Sequence, residues 1–314
     1  MRLPCKQERQ TAAAKNCKIL LCWLAVLLIL RQYGVTIKEA TGAIKAFGVM
    51  DEASRTEGKE AAAAMVRFDN VYKSFGGSNV LDGLSFEIEP QEIFVILGPS
   101  GTGKSVTLKH MVRLLTPDSG DIYVKGDCVN ASTGRDLERI RERFGYLFQG
   151  GALLAWMSVA ENIALPLRER TRMTEGEIRR RVAEVLDMVE MGSDGEKRPS
   201  EISGGMKKRA GLARAIVTNP EIVLYDEPTS GLDPVTSRTI DALIDRLREE
   251  INITSVVVTH DLHSALTIGS RIAMLHKGRV IELSTPADFI RSEHLEVKRF
   301  LEAQFITKKG VWEN

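Results

Sequence analysis

Residues 98–105 read Gly98-Pro99-Ser100-Gly101-Thr102-Gly103-Lys104-Ser105, the spacing G-x-x-x-x-G-K-[ST]. They lie between an unbroken apolar run (93–97) and a segment of helical pattern (106–115). A strand, a glycine-rich turn and a helix in that order wrap backbone N–H groups and a positive helix end around one anion. Glycine is needed because inward-turned N–H groups require angles and space that a Cβ denies. Lys104 is then placed to neutralise the outer phosphates, and the Ser105 hydroxyl to ligate Mg²⁺. The loop specifies a nucleoside triphosphate and no more, since kinases, GTPases and motors share it.

The rest of the chain fits around that unit. Apolar runs without alternation recur at 222–225 and 255–258. Strands buried on both faces look like this, which predicts a parallel sheet covered by helices. Alternating segments at 66–71 and 84–88, separated by turns at Gly76-Gly77 and Asp82-Gly83, predict a small antiparallel sheet at the domain entry. Thr174 and Glu177 form a capping-box signal. The helix that follows carries Ile178, Val182, Val185, Leu186 and Val189 on one face, with Arg179, Arg180 and Arg181 turned to solvent. Pro199-Ser200 interrupts the pattern, and helices at 203–217 and 234–249 flank the 222–225 strand. The fold class is α/β, with a helical insertion between Gln149 and Ser203 (about 150–215). No internal repeat is present, so the chain holds one such unit rather than a tandem pair.

Composition adds limits. With 43 basic and 42 acidic residues in 314, the net charge of +1 gives no electrostatic case for nucleic acid as a partner. The cysteines Cys5, Cys17, Cys22 and Cys128 are too few and scattered for a disulfide framework and read as free thiols. Residues 1–64 differ from the rest: basic residues from Arg2 to Lys18 precede an apolar run at 19–30. Such a run spans only ~18 Å as a helix, short of a ~30 Å hydrocarbon core, and no A-x-A cleavage site follows it. A membrane-apposed anchor and upstream codons before a start at Met65 are the two readings, and the second is favoured. The domain itself is expected over 65–300, with 301–314 as a tail.

Ile222-Val223-Leu224-Tyr225 delivers Asp226 and Glu227 at its carboxyl end, the edge of a parallel sheet where ligands bind. One acid can hold Mg²⁺ and its neighbour can orient or deprotonate water. Ser203-Gly204-Gly205 opens a helix and so makes a second anion site. Two phosphate-binding surfaces for one triphosphate are reconciled if two copies pair head to tail, each completing the other's site.

These features resemble the ABC ATPase family over residues 66–300. Ser203-Gly204-Gly205-Met206 is similar to its signature motif, with Ile202 and Met206 where leucine and glutamine are commoner. The resemblance implies ATP and Mg²⁺ as ligands. It implies that Gln149 senses the metal and the membrane subunit, that Asp233 in Ser230-Gly231-Leu232-Asp233-Pro234 crosses the dimer interface, and that His260 contacts the γ-phosphate. Phe75 is expected against adenine, with Tyr72 the second choice. Glu227 is then the general base, Asp226 and Ser105 hold the metal, and Lys104 and His260 clamp the γ-phosphate. His110, His263, His276 and His294 read as surface or packing residues. Trp156 is either a partner contact or core.

Residues 144–154, 161–169, 103–110 and 203–210 look more specifically like the Mla-type, Mce-associated phospholipid transport ATPases. That resemblance implies an integral membrane permease as partner and an Mce-domain substrate-binding protein. It places the chain peripherally at the cytoplasmic face of the inner membrane, with lipid moving between that membrane and the outer envelope. An ATPase for import of a polar solute such as an amino acid is the alternative. A soluble, non-transport ABC ATPase acting on ribosomes or DNA is the distant one.

Overall fold

Residues 64–304 are described by the computed structural model. The expected N-terminal extension and the tail beyond Gln304 lie outside them. The three apolar runs form inner strands of a six-stranded sheet. β1 (Val66–Phe75) and β2 (Ser78–Ile88) precede β3 (Ile93–Leu97) and α1 (Lys104–Met111). β4 (Ser119–Val124), β5 (Asp127–Cys128), α2 (Gly134–Glu142) and β6 (Phe144–Leu147) follow. Then come α3 (Val159–Arg170), α4 (Glu175–Met188), a 3-10 turn (Pro199–Glu201) and α5 (Gly204–Ile216). β7 (Ile222–Asp226), α6 (Pro234–Ile251), β8 (Thr254–Thr259) and α7 (Leu262–Ile268) complete the central layer. β9 (Arg271–His276), β10 (Arg279–Ser284), α8 (Pro286–Ile290) and α9 (Leu295–Gln304) close the domain.

The main sheet runs β10-β9-β3-β8-β7-β6, parallel except where β10 returns antiparallel to β9. Its strands are apolar on both faces because both are covered. Val95, Leu97, Val223, Tyr225 and Val257 point into the core shared with α3 to α7. Phe94, Ile96, Ile222, Leu224, Val256 and Val258 point into the core beneath the antiparallel sheet β2-β1-β4-β5. This is the period of two that side chains on a strand obey. Burying each such side chain contributes roughly 1.5–3 kcal/mol, so one polar replacement on either face is costly.

The helical insertion forms as expected. Thr174 and Glu177 make the reciprocal capping box, and Ile178, Val182, Val185, Leu186 and Val189 are all buried. Arg181 is a correction: Arg179 and Arg180 are exposed, but Arg181 is half-buried and its Nε donates to Val217 O at 3.1 Å. Asp82-Gly83 is another. These residues are no turn but lie inside β2, as the extra residue of a bulge opposite Tyr72, between the pairs Val71–Leu84 and Lys73–Leu81. Gly83 has φ +72°, and a Cβ there would lie 2.9 Å from the Tyr72 hydroxyl. The helix after the glycine loop starts at Lys104 and stops at Met111, before Arg113 with φ 51°. The domain also runs past 300 to Gln304, because Val297 and Leu301 of α9 are buried. Among the described residues no helix is long and apolar enough to cross a membrane.

Candidate functional site

Strand register gathers the site. Leu97 of β3 pairs with Thr259 of β8, Asp226 of β7 with Val258, and Leu147 of β6 with Tyr225. The segments after these strands, 98–103, 227–233, 148–158 and 260–261, therefore leave one edge of the sheet together. The sequence scatters them over more than half of the domain.

The glycine loop has the form the pattern demands. Gly103 caps α1 at φ 98°, and a Cβ at Gly98 would lie 2.5 Å from Leu275 O. Thr102 Oγ1 donates to Pro99 O at 2.9 Å. Lys104, 6% exposed, folds back and donates to Gly98 O and Pro99 O at 2.9 and 3.0 Å. Burial lowers the Lys104 pKa, and the Glu227 charge beside it opposes that shift. Ser100 and Gly101 sit at the loop's exposed crest.

Both acids lie against this loop. Ser105 Oγ donates to Asp226 Oδ1 at 2.6 Å, and the Tyr146 hydroxyl donates to Oδ2 at 3.4 Å. Burial and the Asp226 charge hold the Tyr146 phenol above its ordinary range, so it stays a neutral donor. A hydroxyl and a carboxylate so placed are the oxygen donors that Mg²⁺ takes. Glu227 has φ 52°, a left-handed conformation that costs a non-glycine residue roughly 1–2 kcal/mol. Its N–H donates to Val258 O at 2.9 Å. One side-chain oxygen, Oε1, is 3.7 Å from Lys104 Nζ, and the other, Oε2, is 2.8 Å from His260 Nδ1. Lys104, Glu227 and His260 thus form one contiguous line.

Other expected residues take more local parts. Ser203 is the N-cap of α5, its hydroxyl accepting from Met206 N at 3.3 Å. Gly204 and Gly205 lie against Leu232 and Thr236. Asp233 caps α6, accepting from Val235 N and Thr236 N at 3.0 Å each. Gln149 is exposed, and its link to the site runs through its carbonyl. Phe75 is exposed at the end of β1 with Lys73 Nζ 5.3 Å from its ring centre. Trp156 is 72% exposed, so it is not core. His110 is buried and donates Nδ1–H to Val106 O at 2.7 Å, with burial lowering its pKa. His263 and His294 are exposed and His276 is half-buried. Cys128 is a buried cysteine whose Sγ–H donates to Asp121 Oδ1 at 3.8 Å.

Sequence reasoning passed over Tyr146, Lys208 and Arg214. The Arg214 guanidinium donates to Gly151 O and Ala152 O, both at 2.8 Å, and so fastens the loop after Gln149 to α5. Lys208 reaches the carbonyls of Gln149 and Glu227. A signal existed: Lys208 falls at helical spacing with Gly205, Leu212 and Ala215, a stripe otherwise apolar.

Comparison with known proteins agrees with this geometry. Residues 81–230 match the family described as ABC transporter. The chain is 40% identical over 257 residues to "Probable ribonucleotide transport ATP-binding protein mkl" of Mycobacterium leprae, covering 82% of this chain and 74% of that protein. It is 36% identical over 240 residues to "Intermembrane phospholipid transport system ATP-binding protein MlaF" of Haemophilus influenzae (76% and 91%). It is 38% identical over 243 residues to "Methionine import ATP-binding protein MetN 2" of Pseudomonas entomophila (76% and 72%). The dimeric post-hydrolysis state of the ATP-binding cassette MJ0796, bound to ADP and Pi, superimposes with TM-score 0.65 at 35% identity, over 71% of this chain and 99% of that one. The cassette cbiO1 of Clostridium perfringens, part of the transporter complex cbiONQ, does so with TM-score 0.68 at 27% identity (77% and 96%). A glycine loop, paired acids and a histidine on one sheet edge, in a fold and sequence shared with these cassettes, place the chain in the ABC transporter family as an ATP-binding, ATP-hydrolysing subunit.

Proposed function

We propose that two copies of this chain pair head to tail beneath an integral membrane permease, at the cytoplasmic face of the inner membrane. Their ATP turnover moves phospholipid or another lipid between that membrane and the outer envelope. The observation that carries the ATPase mechanism is the line Lys104–Glu227–His260 beside the Ser105–Asp226 pair. Ser105, Asp226 and the Gln149 side chain would hold Mg²⁺, which supplies positive charge against the phosphate oxygens. Lys104 exchanges the Gly98 and Pro99 carbonyls for phosphate, and the residue 98–105 amides hold the rest of the anion. Glu227 takes the proton of the attacking water, His260 steadies the terminal phosphate, and Phe75 stacks on adenine.

Pairing follows from the second anion-binding end. The start of α5 lies against Leu232 and Thr236 of its own chain and serves the other copy's nucleotide, with Asp233 across the interface. The dimeric MJ0796 cassette supports this, as the cbiONQ assembly supports association with further subunits. A groove of about 500 Å³ beside the Gln149 loop, lined by Leu114, Tyr146, Phe148, Leu165 and Arg214, suits a short permease segment.

The lipid assignment rests on the Mla-like stretches at 144–154 and 161–169 and on the MlaF relative. The methionine-import relative carries the competing reading, import of a polar solute. Purification of the native complex from detergent extracts decides between them. Copurification of a permease with an Mce-domain protein and bound phospholipid is expected. A solute-binding protein in their place, with ATPase stimulated by its solute, would replace lipid with the competing reading.

A further inference from the structure

Lys208 is 5% exposed in the middle of the domain. A buried ammonium must find acceptors or give up its charge. Lys208 finds three, each on a segment leaving the site edge of the sheet: Gln149 O, Glu227 O at 2.8 Å and Ser230 Oγ at 3.5 Å. The Glu227 carbonyl also accepts from Ser230 N at 3.2 Å and from Ser230 Oγ at 2.9 Å. Three donors thus converge on the carbonyl of the one acid in this site whose backbone is left-handed, at φ 52°. Charge-assisted bonds of this kind are about twice as strong as neutral ones.

We propose that Lys208 is a positioning residue for ATP hydrolysis, its ammonium locking the Glu227 backbone in the conformation that aims the carboxylate between Lys104 and His260. The same ammonium ties that backbone to the Gln149 loop, so a shift of Gln149 is felt at Glu227. Burial lowers the Lys208 pKa, while the charges of Glu227 and Asp226 oppose that shift and favour the cation. Removing the ammonium also takes a donor from the Gln149 and Glu227 carbonyls, so Lys208 carries part of the local stability as well.

This inference rests on Glu227 as the base, and the test separates the two ideas. ATP turnover by the full-length chain is measured for Lys208→Met, Lys208→Arg, Glu227→Gln and the double variant Lys208→Met/Glu227→Gln, with melting curves for each. For Lys208→Met we expect kcat to fall roughly 10- to 100-fold, as for a misplaced catalytic group, with KM for ATP nearly unchanged and the melting temperature lowered by the lost buried donor. Lys208→Arg, which keeps the cation, should recover part of kcat. In the Glu227→Gln background Lys208→Met should cost little more, because its effect passes through Glu227. A wild-type kcat in Lys208→Met, or equal losses in both backgrounds, overturns the positioning role. Near-normal turnover in Glu227→Gln removes Glu227 as base and the inference with it. Should Lys208→Met not fold, Lys208→Gln makes the same comparison, and a kcat within about twofold of wild type overturns the proposal.

Discussion

His260 Nδ1 lies 2.8 Å from Oε2 of Glu227, while Oε1 of the same carboxylate lies 3.7 Å from Lys104 Nζ. The ends of β7 and β8 and the first turn of α1 therefore meet at one side chain. A carboxylate flanked by an ammonium and an imidazole has little freedom left. Its direction is set before any water or phosphate arrives, which is the economy expected where catalysis is mostly positioning and charge stabilisation.

From this arrangement we expect Glu227→Gln to bind ATP normally and to lose hydrolysis by ~10²–10⁴-fold, the usual worth of a positioned acid–base group. The amide keeps the shape and a hydrogen bond to His260 but cannot take a proton. Equilibrium nucleotide binding and phosphate release, measured on the same preparation, check both halves. Turnover near wild type would assign the base elsewhere.

Composite sites make a second expectation. Lys104→Ala removes the phosphate clamp of one chain, and Ser203→Arg obstructs the start of α5 and deletes its cap. Each variant alone should be inactive. Mixed, they form heterodimers with one intact and one doubly broken site, and phosphate release should partly recover. No recovery, in a mixture shown by mass to contain heterodimers able to turn over at one site, would argue against sharing.

The candidate site was legible wherever chemistry demands a residue type at fixed spacing. The glycine loop, Asp226-Glu227 after an apolar strand and Ser203-Gly204-Gly205 before a helix fall in this class. The inner strands were legible too, because strands buried on both faces are apolar throughout, as Ile93–Leu97 is. What stayed hidden depends on distant partners. Asp82-Gly83 has a turn's composition and becomes a bulge because β1 runs alongside with Tyr72. Arg181 belongs to a basic run and yet reaches the Val217 carbonyl. Lys208 looks like any surface lysine until the Gln149 and Glu227 carbonyls, far off in sequence, are brought to it.

Packing at the start of α5 gives a stability test. A Cβ on Gly205 would lie 2.5 Å from Thr236 Cγ2. That methyl cannot easily turn away, because Thr236 Oγ1 is held by Asp233 Oδ2 at 2.5 Å. Gly205→Ala should therefore destabilise the domain by about 1–3 kcal/mol, as overpacking does. Adding Thr236→Ser, which deletes the methyl and keeps the hydroxyl, should restore most of it. Melting temperatures of the single and double variants read this directly, and an unrescued loss would mean the strain lies elsewhere.

Asp241 offers a test by pH. It is 2% exposed on α6; Oδ2 accepts from Ser264 Oγ at 2.7 Å, and Oδ1 has no hydrogen-bond partner. The same hydroxyl lies 3.2 Å from Asp261 Oδ2, and its single proton cannot serve both carboxylates. Burial pushes the Asp241 pKa up to about 6, against the Ser264 bond; Asp261 adds to the rise and His263 opposes it. In the unfolded chain the group titrates near 3.8. Between those values the folded state binds more protons than the unfolded one, so stability falls as pH rises through this window and then levels off. Asp241→Asn keeps the acceptor for Ser264 and removes the charge. It should stabilise the domain at pH 7.5 by about 1–3 kcal/mol, given roughly 1.4 kcal/mol per pKa unit, and much less at pH 4. Urea unfolding at the two pH values measures the difference. A change of the same size at both would show that the cost of Asp241 is packing rather than ionisation.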